Sequence, residues 1–438
     1  MNCRTWLLIL GLCSCGGVPA AEPPSRPGID APELAHLGPF AVGVRLVKLV
    51  QHDQPNVLKF DPAKGVAPRE DRTLSVDVWY PAGQVRDAVA ETYHASLSSE
   101  PPAPPAEFSI PALAVRDAPA VPGRHPLVIV SHGYSNATVA MSWLTENLAS
   151  KGYVVAAIRH EDPGYSDRTG FPQPWLRRPL DIAFVARELT RSNAAEPQVD
   201  STRIALIGYS MGGFGVLTAA GATIDPSGPV AAKLVPGGLL LPYAKGGSAR
   251  DVVIVPNVRA VVAISPAGGG ALAAWGDGIA DVRAPLLLIA GDTDRTVDYR
   301  SGALAFFNAT NRAPRYLLTY KGGGHAIGLN SAPDAMRGRL WDQDWFEDPV
   351  WRKDRIIAIN LHFITAFLDR FVKGDESRSD YLDSLVVESD DGQWPTEKVT
   401  QYAAYSPGTD GITVWKGFQR NHVQGLEFRH STAEPAGN

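Results

Sequence analysis

Arg203-Ile204-Ala205-Leu206-Ile207-Gly208-Tyr209-Ser210-Met211-Gly212-Gly213 decides how this chain is read. Residues 203–207 form an apolar run of strand length, and the stretch from Gly213 to Ala220 reads as a helix. A serine held between such a strand and helix, with glycines two places before and two after it, has the form of a nucleophile elbow. The glycines let the backbone fold back where a Cβ would clash. The turn presents Ser210 Oγ at the strand's end and aims the N-terminus of the following helix at it, which favours negative charge there.

Such a serine needs a base, an acid that orients the base, and two amide donors for the oxyanion. Downstream, Ala284 to Ala290 reads as a buried strand ending in Gly291-Asp292-Thr293-Asp294-Arg295-Thr296-Val297. Asp292, Asp294 and Asp298 compete for the acid. Asp294 is preferred for its spacing from the glycine and for the small residue and valine that follow. Asp292 suits a turn residue bonding its own backbone. The next strand, Arg315 to Tyr320, runs into Lys321-Gly322-Gly323-Gly324-His325. Three glycines permit a close approach, and His325 is read as the base. Upstream, the strand Pro126 to Val130 leads into Ser131-His132-Gly133-Tyr134-Ser135. The N–H groups of Met211 and Tyr134 are the expected oxyanion donors. His132 is read as bracing its loop rather than as a second base.

The 438 residues are 45% hydrophobic and 20% charged, with a formal net charge of −5. That balance allows one large core or two smaller ones. Without basic clusters it gives no reason to expect nucleic acid as a partner. All three cysteines, Cys3, Cys13 and Cys15, lie near the start. There, Arg4 and the apolar run Trp6 to Leu12 read as a signal peptide over residues 1–20, too short to span a bilayer. Val18-Pro19-Ala20 resembles a cleavage site. Leu12-Cys13-Ser14-Cys15 resembles a lipobox with Cys15 lipidated, so export from a bacterium is expected, free or lipid-anchored.

A proline-rich linker is predicted over 21–40, a main domain over 41–375 and a C-terminal extension over 376–438. Strands are predicted at Ala41–Val50, Leu74–Tyr80, Pro126–Val130, Tyr153–Ile158, Arg203–Ile207, Val258–Ile264, Pro285–Ala290 and Arg315–Tyr320, with helices at Val139–Lys151, Arg178–Arg191, Gly213–Ala220 and about Asp354–Lys373. The fold class is therefore α/β: a mostly parallel eight-stranded sheet with helices on both faces. Residues 82–123 read as an irregular, proline-rich excursion. Residues 224–256 read as an apolar insertion after the nucleophile helix that could cap the site. Contiguous His160-Glu161-Asp162 is discounted as a metal site, because adjacent residues diverge at a strand end.

The stretches 126–135 and 148–162, with Arg178-Pro179-Leu180-Asp181-Ile182, the elbow from Gly208 to Gly213, and the run from Phe367 to Asp375, resemble the platelet-activating-factor acetylhydrolase and dienelactone-hydrolase-like branch of the α/β-hydrolases. The resemblance spans roughly residues 74–375. It implies an α/β-hydrolase fold with nucleophile, acid and base at Ser210, Asp294 and His325 and oxyanion donors at Tyr134 and Met211. The serine departs from dienelactone hydrolases proper, which use cysteine. Secreted cutinase-type polyester hydrolases share the Gly-Tyr-Ser-Met-Gly-Gly elbow.

Together these readings predict a serine esterase acting through an acyl-enzyme on a small-molecule ester, with no cofactor or metal. An acyltransferase with the same triad and a lipid or polyester hydrolase are the alternatives. A short to medium acyl chain is expected, with Trp275 lining the acyl pocket, Leu239 to Tyr243 roofing it and Arg159 to Asp162 forming a polar rim.

Overall fold

The computed structural model describes residues 32–434, apart from 85, 99–103, 165–166, 192–197, 339, 396, 398–407 and 420. The signal peptide read over 1–20, and with it Cys15, lies outside the described residues. Among the described residues no helix is long and apolar enough to cross a membrane.

The strands, in chain order, are β1 (Ala41–Pro55), β2 (Arg69–Ala82), β3 (Thr92–Leu97), β4 (Ala106–Pro111), β5 (Val115–Arg116), β6 (Arg124–Ser131), β7 (Val154–Arg159), β8 (Gln198–Tyr209), β9 (Val258–Ile264), β10 (Leu286–Gly291), β11 (Arg315–Tyr320) and β12 (Leu426–Ser431). The helices are α1 (Ser142–Ser150), α2 (Pro172–Arg191), α3 (Met211–Ala219), α4 (Ala303–Ala309), α5 (Leu340–Phe346), α6 (Lys353–Phe371) and α7 (Ser379–Leu382). The main sheet runs β12-β11-β10-β9-β8-β6-β7-β2-β1-β5. From β7 to β11 the neighbours are parallel. Antiparallel pairs flank them on both sides, β1 with β2 and β2 with β7 on one, β11 with β12 on the other. This is the α/β-hydrolase fold.

The central strands are apolar at consecutive positions because both faces are covered. Alternate side chains enter opposite cores. Val128 and Val130 pack with α1 and α6 residues such as Leu144, Leu148 and Phe363. Leu127 and Ile129 pack with Trp175, Phe214 and Phe306 from α2, α3 and α4.

Ten strands stand where eight were expected. The additional ones come from stretches whose sequence carried no strand signal. β5 is two residues long and sits at one edge. β12 pairs antiparallel with β11 from Tyr320↔Leu426 to Arg315↔Ser431. The excursion over 82–123 also holds the β3–β4 hairpin, which forms its own two-stranded sheet. The C-terminal residues are part of the main core, since Trp415, Phe418 and Phe428 are buried with Phe363 of α6.

The segment 224–256 lies over the α2–α3 face. Arg187 Nη1 donates to Val252 O at 2.9 Å, and Val255 N–H donates to Ala219 O at 2.9 Å. Gly237 approaches so close that a Cβ would stand 2.1 Å from the Phe60 ring. Its buried residues Val230, Ala231, Val235 and Leu240 join that core. This corrects the expected cap: the segment's apolar side chains are spent on a helix face.

Candidate active site

The carboxyl ends of β6, β8, β10 and β11 bring the predicted site residues together, as open α/β sheets place ligand crevices. β8 ends at Tyr209, and Ser210 follows with φ 54° and ψ −116°, a strained backbone for a residue other than glycine. The surroundings over-determine that conformation. Ser210 N–H donates to Ile264 O at 2.9 Å, and its carbonyl accepts from Ala267 N–H at 2.9 Å. A Cβ on Gly208 would stand 2.2 Å from Gly212 O, and one on Gly212 would stand 1.9 Å from Ser131 O. Both glycines are therefore required by close approach. α3 starts at Met211, so its N-terminal amides face the serine's end of the turn.

His325 Nε2 lies 3.0 Å from Ser210 Oγ, and His325 Nδ1 lies 2.7 Å from Asp294 Oδ2. A carboxylate at Nδ1 holds the proton there and leaves the Nε2 lone pair for the serine hydroxyl. Asp294 Oδ1 accepts from Thr296 N–H at 2.8 Å and Val297 N–H at 3.2 Å. Burial alone would raise the Asp294 pKa, but the His325 contact and these amides outweigh it and hold the carboxyl below its usual value. The competing aspartates have other partners. Asp292 Oδ1 accepts from Gly322 N–H at 2.6 Å, bracing the histidine loop rather than its own turn. Asp298 Oδ1 accepts from Ser301 N–H and Oγ–H at 2.8 and 2.6 Å.

The glycine-rich loop before His325 is tied down on each side. Thr293 N–H donates to Gly323 O at 3.0 Å, and Gly324 N–H donates to Asp348 Oδ2 at 2.7 Å. Behind the histidine, α6 supplies Lys353 Nζ to Ala326 O at 2.6 Å and Asn360 Nδ2 to Ile327 O at 2.8 Å. The Tyr209 hydroxyl donates to His325 O at 3.1 Å.

A cavity of about 410 Å³ opens at Ser210. Tyr134, Phe171, Trp175, Met211, Ala267, Leu272, Thr296 and Val297 line it, which makes it mostly apolar. Three expectations fail here. Trp275 does not line the cavity. Only 2% exposed, it stacks on Phe214 at 5.3 Å and donates from Nε1 to Thr218 Oγ1 at 3.0 Å. The row of rings runs Tyr134, Phe171, Trp175, Phe214, Trp275, so Trp275 lies two rings behind the wall that Trp175 provides. Leu239 to Tyr243 contribute nothing to the lining, because their segment packs elsewhere.

Phe171 and Trp175 were the residues missed. Their signal was an aromatic pair ahead of the predicted helix start at Arg178.

The expected polar rim also fails: Arg159 to Asp162 do not line the cavity at Ser210 but a second one of about 360 Å³ beside the β3–β4 hairpin. His160, Glu161 and Asp162 do not converge. His160 faces Ser131 and Asp181, and Asp162 faces Arg178. Arg159 holds Asp77 through Nε and Nη2, each at 2.7 Å. Among the described residues no group of three His, Cys, Asp or Glu side chains could hold a metal ion.

Two family models match the chain: PET hydrolase-like over residues 119–236, and platelet-activating factor acetylhydrolase, isoform II, over residues 37–173. Cutinase 2 of Thermobifida cellulosilytica is 26% identical over 185 residues, 42% of this chain and 53% of its own. Cutinase est2 of Thermobifida alba is 30% identical over 128 residues, 29% of this chain and 38% of its own. The chain thus spans about half or less of the length of these curated relatives. A ferulic acid esterase structure from Streptomyces cinnamoneus aligns over 76% of this chain and 91% of its own, at 22% identity and a TM-score of 0.47.

Proposed function

We propose that this chain, similar over residues 37–173 to platelet-activating factor acetylhydrolase, isoform II, and over 119–236 to PET hydrolase-like proteins, hydrolyses carboxylic esters through Ser210, His325 and Asp294. The observation that carries the reading is the relay Asp294–His325–Ser210, at 2.7 and 3.0 Å, at the mouth of an apolar cavity. Ser210 Oγ attacks the ester carbonyl while its proton passes to His325 Nε2. Asp294 stabilises the imidazolium and keeps its orientation. The amides of Tyr134 and Met211 receive the charge of the tetrahedral oxygen, a contribution of about 3–4 kcal/mol per donor in comparable sites. The intermediate collapses as the carbon–oxygen bond to the alcohol breaks and His325 returns the proton to that oxygen. A water then gives its proton to His325 and attacks the acyl-enzyme, releasing the acid and restoring Ser210.

The substrate reading rests on the cavity. Trp175 is part of its lining, and Phe214 and Trp275 back that ring at 4.6 and 5.3 Å along the row. Short and medium acyl groups suit such a space, and acetate or butyrate esters should be cleaved faster than palmitate. Residues 1–20, read as a signal peptide, support export as the setting of this activity.

Activity across nitrophenyl esters from acetate to palmitate, for the wild type and Ser210→Ala, tests the proposal. The substitution should lower kcat by roughly 10⁶-fold. Turnover of more than a few per cent of wild type in the variant would overturn the assignment. The PET hydrolase-like match, which spans the oxyanion loop and the elbow, favours polymeric esters as a second reading. Release of soluble acid from a polyester film by the wild type and not by Ser210→Ala would support it.

A further inference from the structure

Arg178 is completely buried in α2, yet a guanidinium is among the groups least suited to burial. Its partners explain its place. Nη1 donates to His132 O at 2.6 Å and to Ser131 Oγ at 3.1 Å, and Nη2 donates to Gly133 O at 3.1 Å. Nη2 also pairs with Asp162. His132 Nδ1 lies 2.7 Å from the same Gly133 carbonyl, and since a carbonyl only accepts, that nitrogen carries the proton. His132 Nε2 then accepts from His160 N–H at 3.4 Å.

The Gly133 carbonyl shares one peptide plane with the N–H of Tyr134. In a trans peptide the two point in opposite directions. Whatever anchors the carbonyl therefore aims the N–H. The next peptide is anchored too, because Ser135 N–H donates to Asp162 Oδ2 at 3.1 Å while Ser135 holds φ 50°. Both peptides flanking Tyr134 are thus held by the Arg178–Asp162 pair and His132.

We infer that Arg178, with Asp162 and His132, is a positioning device that sets and polarises the Gly133–Tyr134 peptide so that the Tyr134 N–H meets the developing oxyanion. This rests on the esterase reading above. A cationic donor on the carbonyl draws charge along the amide and strengthens its N–H as a donor.

Arg178 is itself anchored from beneath. Ser131 Oγ lies 2.9 Å from His160 Nε2, and His160 Nδ1 lies 2.8 Å from Asp181 Oδ2, with Arg72 paired to the same carboxylate. This second Ser-His-Asp row has no exposed member. One direction of donation serves the three contacts of the row: Arg178 to the Ser131 oxygen, the Ser131 hydroxyl to His160, and His160 to Asp181. Burial first, then the Arg178 charge, lowers the His132 pKa to about 4, so His132 stays neutral in this role at neutral pH. Burial likewise pushes His160 well below its ordinary value.

The test compares kcat and KM for a nitrophenyl ester and the matching thionoester, in which sulfur replaces the carbonyl oxygen and meets an oxyanion hole poorly. Arg178→Lys keeps the charge but loses the forked contact. It should lower kcat for the ester by roughly 10–100-fold, less than the loss of a whole oxyanion donor. KM should stay within about twofold, because the contact forms with the transition state rather than the substrate. The thionoester rate should fall much less, narrowing the gap between the two substrates. His132→Ala removes one donor to Gly133 O without touching a buried charge, and it should narrow the gap in the same sense; it decides the matter if Arg178→Lys does not fold. Equal losses on both substrates, or an unchanged gap in both variants, would overturn the inference. A wild type that does not discriminate against the thionoester would instead remove the oxyanion hole, and with it the esterase reading.

Discussion

At the residue scale, the site depends on atoms placed within a few tenths of an ångström. Ser210 sits at φ 54°, a conformation that costs about 1–3 kcal/mol and persists only where neighbours enforce it. Here they are Ile264 O, Ala267 N–H and the two glycines of the elbow. The aspartates separate by partner. Asp294→Asn should reduce kcat/KM by orders of magnitude, because an amide at His325 Nδ1 permits the wrong imidazole tautomer and does not stabilise imidazolium. Asp292→Asn keeps an oxygen that can accept from Gly322 N–H and should cost much less. Steady-state kinetics on both variants check this, and a larger loss at Asp292 would reassign the acid. The aromatic row makes a parallel distinction. Trp175→Ala opens the cavity wall and should shift the chain-length optimum toward longer acyl groups. Trp275→Ala acts two rings behind it and should lower Tm while leaving the shape of that profile closer to wild type. If the Trp275 variant alone reshaped the profile, the acyl wall would have to be redrawn.

At the element scale, α1 holds a buried acid that binds the excursion over 82–123 to the sheet. Glu146 Oε1 accepts from the Tyr93 hydroxyl at 2.7 Å, Leu113 N–H at 2.9 Å and Ala114 N–H at 3.2 Å. Burial raises its pKa from 4.5 to about 7 despite those bonds. Between these values the folded protein keeps a proton that the unfolded chain has released, so stability falls as pH rises through that window. The contribution is whole at low pH and lost above about 7. Glu146→Gln should abolish this slope. Its Tm relative to wild type should rise between pH 5 and pH 8, and a difference that stays constant over that range would contradict the assignment.

The elements also show what the sequence made legible. β9 and β11 fall on the predicted residues, because buried parallel strands are short apolar runs. The elbow and the glycine-rich loop are local patterns, so the residues that meet at Ser210 could be named in advance. α2 begins at Pro172, six residues before its predicted start. Pro172 and Pro174 argue against helix there, although proline is well suited to the first turn, and Pro179 is carried inside the helix. That misreading hid Trp175 and put Arg178 at a helix end rather than inside a helix beneath the loop from Ser131 to Ser135. Trp275 was misplaced for a different reason: its position on a loop at a strand end was readable, but the direction of its side chain was not.

On the scale of the whole molecule, the C-terminal residues complete the sheet and cover α6. Phe428 of β12 lies 4.5 Å from Phe363 and 6.0 Å from Trp415, and all three are buried. Such long-range pairing leaves no local signal beyond a few aromatic residues, which is why this part read as an extension. Phe428→Ala should cost about 3–5 kcal/mol of stability. A lower Tm with an unchanged KM would be the expected outcome, since the contact lies on the far side of β11 from β10. The cores on the two faces hold the strand ends that carry Ser210, Asp294 and His325, and the claim that rests on that assembly is covalent catalysis at Ser210. Intact-protein and peptide mass spectrometry after treatment with a fluorophosphonate tests it most directly. The account predicts one adduct per chain, on the peptide containing Ser210, formed in step with loss of esterase activity and absent from Ser210→Ala. An adduct on another residue, or complete inactivation with Ser210 unmodified, would contradict it.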